Sequence, residues 1–255
     1  MKWLGVWLVL LCYSEYGYSS NTQRQPVSLY TYHYMPPYVV DSQKQIGLFY
    51  DVARFFNQHQ QQYNFQVSYI PRKRLNYQLA QHEFDGVVIG VNPVWFQDRE
   101  KQKYLWTGAL MQDQDEFLSH RSQPFEYVDK ASLYDKQVGG ISGFRYHTVD
   151  KLVAEGLVNR IDTSNESRLL KMLLKRRFDC AIVSRATTIY YQTLLNTNQE
   201  LHFSSKPHDR YTRHLLMPKQ MKDVLQVVEP LILQLLQSPQ WQQQMLLYQT
   251  QLDPQ

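Results

Sequence analysis

The stretch VSLYTYHYMPPYVV, residues 27–40, and the stretch IGLFYDVARFFN, residues 46–57, decide the fold. Residues 27–32 alternate between apolar and polar side chains, as a half-buried strand does, and a loop with two prolines and several tyrosines follows. A glycine then separates the loop from apolar residues at helical spacing. Strands of open α/β sheets end at the ligand crevice. The loop is therefore either a wall of a small-molecule site or a stiff surface turn whose tyrosines pack on the domain.

The chain has 255 residues, a formal net charge of +4 and 43% hydrophobic residues. This length and composition predict a globular protein with one large domain or two small ones. Short basic runs occur at residues 72–74 and 175–177. Runs of this length are typical of solvated faces, and we do not expect nucleic-acid binding.

Residues 1–20 have the pattern of a secretory signal peptide. Lys2 precedes an apolar run that ends at Leu11, and small residues follow up to Ser19 and Ser20, where we expect cleavage. The apolar run is too short to span a bilayer. We expect an exported, periplasmic protein. The alternative is a lipid anchor at Cys12, although Leu11 stands where lipoprotein processing prefers a small residue.

Cys180 is the one cysteine that remains after cleavage, so no intramolecular disulfide is expected. It lies in the run FDCAIV, residues 178–183, which is typical of a buried strand. A small buried side chain explains this cysteine better than a catalytic thiol does.

The pattern of periodicities predicts two units of the order β-α-β-α-β. An acidic crossing at residues 112–116 joins them, and a polar return at residues 196–210 leads to a strand and a C-terminal pair of helices. Residues 21–112 and 210–255 form the predicted lobe 1, and residues 113–209 form lobe 2. The acidic side chains of the crossing (Asp113, Asp115 and Glu116) are expected to be solvated. Two lobes joined by two crossings predict an interlobe ligand cleft.

Several motifs resemble those of the type II periplasmic solute-binding proteins, in particular family 3, which includes amino-acid receptors of ABC importers. The resemblance covers most of residues 27–250 and is spread over many short segments. The segments are the proline loop at 35–38, the GLFYD helix start at 47–51, FDG at 84–86, DREK with YLWT at 98–107, VGGISG at 138–143 and the helix and strand at 169–179.

The resemblance implies an α/β fold with two lobes, each a mostly parallel sheet flanked by helices, and two hinge crossings. It implies a monomer that captures a small molecule by hinge closure and has no cofactor, metal or catalytic residue. An inner-membrane permease or sensor is the expected partner.

The resemblance also implies ligand-binding residues. Tyr34 or Tyr38 would pack a ring on the ligand, and Arg99 would clamp a carboxylate with its guanidinium fork. The alternative for Arg99 is an exposed ion pair with Asp98 or Glu100. Further expected contacts are Arg74, the backbone at a helix start formed by Gly143, Phe144 and Arg145, and the strand end at Ser184.

Two segments depart from the family pattern. Amino-acid receptors usually have an acid at the strand end where this chain has Ser184, and NPVWF at residues 92–96 replaces a threonine-rich turn. An ammonium group left without a carboxylate in a closed cleft is costly. A standard α-amino acid is therefore not expected, and an anionic ligand with apolar or aromatic surface fits better.

The sequence contains no Walker loop and no HExxH, GxSxG or CxxC motif, and its histidines lack a local metal-ligand spacing. These absences favour a binding protein over an enzyme. Two alternatives remain open. One is a dehydratase-like enzyme on the same fold, with a cleft carboxylate and a lysine, and the other is a ligand-sensing module for a membrane partner.

Overall fold

The structure is a computed structural model that describes residues 23–197 and 199–248. The predicted signal peptide, with Cys12, lies outside these ranges. Within them the strands are β1 Gln25–Thr31, β2 Tyr63–Tyr69, β3 Val87–Val91, β4 Leu105–Trp106, β5 Met111–His120, β6 Gln137–Ile141, β7 Asn159–Thr163, β8 Cys180–Ser184, β9 Leu201–Phe203 and β10 Asp209–Met217. The helices are α1 Leu48–His59, α2 Arg72–Ala80, α3 His147–Ala154, α4 Glu166–Leu174, α5 Arg185–Leu195, α6 Lys222–Gln237 and α7 Pro239–Tyr248, with 3-10 turns at Pro93–Phe96 and Lys130–Leu133.

The strands form two similar half-sheets. In the first, β2, β1 and β3 are parallel and β10 is antiparallel to β3. In the second, β7, β6 and β8 are parallel and β5 is antiparallel to β8. We call the half around β1 lobe 1 and the half around β6 lobe 2. The predicted α/β class is confirmed, but each sheet is mixed because a strand from the connection between the lobes joins its edge.

The two crossings are the long strands β5 and β10, which pair with each other over residues 111–115 and 209–213. The order of hydrogen-bonded strands across the sheet, β2-β1-β3-β10-β5-β8-β6-β7, is thus continuous from one lobe to the other. Both predicted lobe boundaries, after residues 112 and 209, fall inside these strands. A two-stranded ribbon is therefore the link about which the lobes are arranged.

Lobe 1 has its core between the sheet and helices α1, α6 and α7. Phe49, Val52 and Phe56 point inwards from α1, as their spacing predicts, and Val228 and Ile232 do so from α6. In lobe 2, helices α3 and α4 cover β6 and β8, and the buried Cys180 lies in that core. The prediction of a buried, unpaired cysteine is confirmed.

The turn between the tyrosine loop and α1 requires glycine. Gly47 has φ +135°, and a Cβ atom placed there would lie 2.5 Å from the carbonyl oxygen of Tyr38. Because the loop closes on the helix start at this point, Leu48 N donates to Pro37 O and Phe49 N donates to Tyr38 O. The glycine therefore lets the first loop fold back against α1 and directs residues 32–38 towards lobe 2.

Candidate functional site

A cavity of about 380 Å³ lies between the lobes. Lobe 1 lines it with the end of β1, α2 and the turn at Pro93–Phe96, while lobe 2 lines it with the loop after β6 and the start of α4. The strands β5 and β10 contribute the remaining surface. Aromatic and titratable side chains dominate the lining: Tyr32, His33, Arg72, Trp95, Phe96, Tyr104, Asp115, Phe144, Arg145, Tyr146, His147, Glu166, His208, Asp209, Tyr211 and Arg213. Cavities of this size and position are usual sites for small molecules.

The tyrosine loop places other residues in the cavity than those the sequence predicts. Tyr38 is completely buried and stacks on Phe49 with ring centroids 5.2 Å apart. Tyr34 is 48% exposed and borders a separate surface depression beside α4. Neither tyrosine lines the cavity, because Tyr38 turns into the core and Tyr34 turns outwards. Tyr32, His33 and Met35 line it instead.

A buried ion pair lies beneath the cavity on the two crossing strands. Arg213 is 1% exposed and Asp113 is 2% exposed, and Arg213 Nη2 donates to Asp113 Oδ2 at 2.9 Å. Arg213 Nη1 also donates to the carbonyl oxygen of Gly90, at 2.8 Å. Burial acts to lower the pKa of Arg213, but Tyr38, Tyr211 and Asp113 raise it well above its ordinary value. The guanidinium is therefore charged, and Asp113 compensates that charge.

Asp113 accepts hydrogen bonds from both lobes. Tyr38 Oη donates to it from the loop of lobe 1, and Ser184 Oγ donates at 2.8 Å from the end of β8 in lobe 2. The Arg213 guanidinium carbon lies 4.4 Å from the ring centre of Tyr38 and 5.1 Å from that of Tyr211. This cluster ties the two lobes to the crossing strands just below the cavity.

Two carboxyl groups of the lining have strongly raised pKa values. Burial, followed by the negative charge of Asp113, raises the pKa of Asp115 to about 7. Burial likewise raises the pKa of Glu166 to about 7. Tyr211 Oη lies 2.8 Å from Asp115 Oδ1. Near neutral pH each group can therefore donate a proton to a ligand or accept a hydrogen bond from one.

Arg72 is the arginine that lobe 1 presents to the cavity. Its guanidinium donates to Tyr32 Oη at 2.5 Å and to the carbonyl oxygen of Trp95 at 2.6 Å. It lies over the rings of Tyr32 and Phe96, at 4.7 Å and 4.2 Å from their centres. Stacking and hydrogen bonds together fix the plane of the guanidinium.

Two histidines of the lining have no hydrogen-bond partner for either ring nitrogen among the described residues. They are His33, which is 5% exposed, and His208. Burial and the charges of Arg213 and Arg72 lower the pKa of His33 well below its usual range. Burial, with His147, lowers the pKa of His208 to about 4. Both rings are therefore neutral near pH 7.

The residues predicted in lobe 2 (Gly143, Phe144, Arg145 and Ser184) all line the cavity. Helix α3 begins only at His147, however, and the N–H groups of Ser142 and Phe144 donate to the carbonyl oxygens of Thr163 and Ile141. The N–H groups of Ser142 and Phe144 are therefore already used within the protein and are not free to bind an anion.

Arg74 and Arg99 are exposed and lie outside the cavity lining. The residue before Arg99 explains its orientation. Asp98 is 4% exposed and accepts hydrogen bonds from the N–H groups of Gln102 and Lys103 and from Trp106 Nε1, at 2.7 to 2.8 Å. Because Asp98 turns inwards to hold this loop, Arg99 turns towards solvent, and no ion pair between them forms.

The prediction of a solvated acidic crossing is wrong. Asp113 and Glu116 are buried in β5, and Glu116 pairs with Arg185 at 2.5 Å. Sequence reasoning also missed Arg213, Arg72 and His33. One feature of the sequence points to Arg213: it lies two residues before the apolar Leu215, and so on the same face of the predicted strand. The short basic run at residues 72–74 predicts a solvated face, whereas Arg72 lines the cavity.

Comparisons with solved structures support the fold across most of the chain. The GluR0 ligand-binding core in complex with L-glutamate has a TM-score of 0.68 at 16% identity, covering 89% of this chain and 99% of that one. Holo ArgBP from T. maritima has a TM-score of 0.62 at 16% identity, covering 86% and 93%. The substrate-binding protein of an amino acid ABC transporter has a TM-score of 0.63 at 17% identity, covering 86% and 97%. Neither a protein-family model nor a curated protein sequence matches the chain.

The chain therefore has the fold of the type II periplasmic solute-binding proteins, as the sequence predicts. Within the described ranges, no helix is long and apolar enough to cross a membrane. The fold is thus a solute-binding protein fold like that of the amino-acid-binding proteins, and the cavity lies between its two lobes.

Proposed function

We propose that this chain is an exported solute-binding protein that captures a small polar or anionic ligand between its lobes by hinge closure. The observation that carries this proposal is the interlobe cavity of about 380 Å³, whose lining comes from both lobes and both crossing strands. A ligand that contacts both walls stabilises the closed arrangement, because it gains contacts there that the open arrangement lacks.

The similar structures support a binding role. One is a ligand-binding core in complex with L-glutamate, one is a holo ArgBP, and one is the substrate-binding protein of an amino acid ABC transporter. By analogy with the last, the partner of this chain is an inner-membrane permease, and a membrane sensor is the second candidate. A monomeric, periplasmic receptor fits this role.

The cavity chemistry favours a ligand with an anionic group and an aromatic or apolar body. Arg72 and Arg145 supply positive charge from opposite lobes, and Trp95, Phe96 and Phe144 supply apolar surface. An ammonium group of an α-amino acid would nevertheless find a carboxyl group near the strand end at Ser184. Asp115 pairs in register with Ser184, so a carboxyl group lies one strand away from the expected position. Zwitterions therefore belong in any ligand screen.

An enzyme on the same fold is the less favoured function. Among the described residues, no lysine lines the cavity, whereas the dehydratase-like alternative requires one beside a carboxylate. The residues present can hold, orient and desolvate a ligand. Incubation with any ligand found, followed by NMR over hours, is expected to show the ligand unchanged, and product formation would favour the enzyme.

A thermal-shift screen tests the proposed function. We expect at least one small molecule from a panel of carboxylates, amino acids, amines and sugars to raise the Tm of the mature chain. A ligand at a hundred times its Kd adds about 2.7 kcal/mol to the free energy of unfolding, which is readily detected. A panel without any stabilising compound would argue against a receptor for small organic solutes.

A further inference from the structure

We propose that the anionic group of the ligand is held in lobe 1 by Arg72 together with His33, and that the ligand is an organic carboxylate. This inference rests on the proposed function and adds to it the position and chemistry of one subsite. It places the carboxylate clamp on α2 and the loop after β1, away from the predicted position at Arg99.

Arg72 has the geometry of a preorganised anion clamp. Its guanidinium lies between the rings of Tyr32 and Phe96 and donates to Tyr32 Oη, to the Trp95 carbonyl and to Asn76 Oδ1. The three acceptors are bound by three different nitrogens of the guanidinium, so these contacts use three of its five N–H groups. Among the described residues, Arg72 forms no ion pair with a carboxylate. Its positive charge faces the cavity without compensation, while its orientation is already fixed.

His33 supplies the second polar group. His33 lines the cavity and is 95% buried, yet neither nitrogen of its ring has a hydrogen-bond partner among the described residues. Buried polar groups are almost always hydrogen-bonded, so an orphan group at a cavity wall points to a ligand. A neutral imidazole can donate one hydrogen bond to a carboxylate oxygen without adding a second buried charge.

The two residues belong to one aromatic cluster. The ring of His33 lies 4.2 Å from that of Tyr32 and 5.5 Å from that of Trp95, between centroids. Arg72 contacts the same two residues. An anion that reaches Arg72 therefore meets the imidazole nearby, and the rings surround it with apolar surface that strengthens the ionic hydrogen bonds.

Lobe 2 covers this subsite. The ring of Phe144 lies 5.9 Å from that of His33, so the two walls meet here. Arg145 follows Phe144, lines the cavity and is exposed, and it can approach the same anion from the other side. The anion thus couples capture of the ligand to the approach of the lobes.

Arg213 is not an alternative clamp. Its guanidinium already donates to Asp113, to Gly90 O and to Tyr211 Oη, and Asp113 compensates its charge. A ligand carboxylate at Arg213 would stand close to Asp113 and be repelled by it. Of the arginines at the cavity, Arg72 is therefore the one that is both oriented and uncompensated.

The test uses matched carboxylate and amide probes. Benzoate, 3-phenylpropanoate, indole-3-acetate and hexanoate are each paired with the primary amide, and Tm and Kd are measured for the mature chain, R72Q and R99Q. R99Q removes the same charge at an exposed position outside the cavity. We expect a carboxylate, but not its amide, to bind the wild type and R99Q. R72Q should weaken binding by at least about 30-fold, and H33F should weaken it less.

The outcomes test the subsite and the receptor function separately. Equal binding of acid and amide, or unchanged binding by R72Q, overturns the subsite. If the carboxylates fail while an amine, sugar or other solute of the broader screen binds, the subsite fails and the receptor function stands. If nothing binds, the receptor function fails as well. If R72Q does not fold, as judged by circular dichroism, R72K replaces it. Lysine keeps the charge but loses the planar fork, so at least a several-fold loss is expected, and no loss overturns the proposal.

Discussion

Arg213 and Asp113 form a buried ion pair on the two strands that connect the lobes. Taking both charges out of water is costly. The pair persists because Tyr38 and Ser184 donate hydrogen bonds to Asp113 and the Gly90 carbonyl accepts one from Arg213. The pair therefore need not add net stability, although its hydrogen bonds join the two strands to both lobes. Removing one charge leaves the other buried without compensation.

Substitution of Asp113 by Asn should lower the free energy of unfolding by about 3 kcal/mol or more, because Arg213 then keeps a buried, uncompensated charge. Urea unfolding of wild type and D113N measures the loss. D51N is the matched control, since Asp51 pairs with Arg54 at an exposed site and should contribute less than about 1 kcal/mol. Equal losses in the two variants would contradict this account of the pair.

The Asp115 carboxyl should make stability depend on pH. Its pKa is about 7 in the folded protein and near 3.8 in the unfolded chain. Between these values the folded state retains a proton that the unfolded state has lost, so stability falls as pH rises from about 4 to 7. This group alone contributes a slope of at most about 1.4 kcal/mol per pH unit.

The variant D115N should lack that contribution. The difference in free energy of unfolding between wild type and D115N should therefore shift in favour of D115N as pH rises from 4.5 to 7.5, measured by urea unfolding at several pH values. Glu166 leaves a residual pH dependence in both proteins, which cancels in the difference. A difference independent of pH would show that Asp115 titrates normally.

The residues of the site were only partly predictable from the sequence. Gly143, Phe144, Arg145 and Ser184 line the cavity because they follow β6 and end β8, and strand ends can be recognised locally. Arg72 and Arg99 both lie in short charged runs of the sequence, but Arg72 lines the cavity whereas Arg99 is exposed beside the inward-facing Asp98. A contact between distant segments, such as that of Asp113 with Arg213, leaves no trace in local periodicity.

At the scale of elements, local signals predicted the helices well. Helix α1 occupies Leu48–His59, where apolar residues recur at helical spacing, and the Asn165 side chain caps α4 by accepting from Arg168 N. Strand β5 was predicted only in part, because its residues 112–116 are polar. Their partners are β10 and β8, which lie far away in the chain, and pairing with both strands overrides local polarity.

Substitution of Gly47 by Ala tests the link between the tyrosine loop and α1. A Cβ atom there would lie 2.5 Å from the Tyr38 carbonyl oxygen, and the backbone φ of +135° is one that alanine avoids. A loss of at least about 2 kcal/mol in the free energy of unfolding is therefore expected. Gly156 is the matched control, because its φ is +73° but no atom lies within 4 Å of an added Cβ. G156A should cost about 1 kcal/mol, and thermal or urea unfolding that ranks the variants in the reverse order would exclude the steric explanation.

At the scale of the molecule, two half-sheets of the same topology meet along the β5–β10 ribbon, and the cavity lies between them. The ribbon carries the buried pair, lobe 1 carries Arg72 and His33, and lobe 2 carries Phe144 and Arg145. The proposed anionic ligand would contact Arg72 and His33 in lobe 1 and Phe144 and Arg145 in lobe 2. Under the proposed function, capture of one small molecule is the event that holds the lobes together.

Native mass spectrometry of the chain purified without denaturation from the periplasm tests this central claim most directly. The account predicts a peak heavier than the polypeptide by the mass of one small molecule, which is released on unfolding and can be identified as a carboxylate. Folded protein that shows only the polypeptide mass, and that gains no mass when incubated with a small-molecule extract of the same cells, would contradict it.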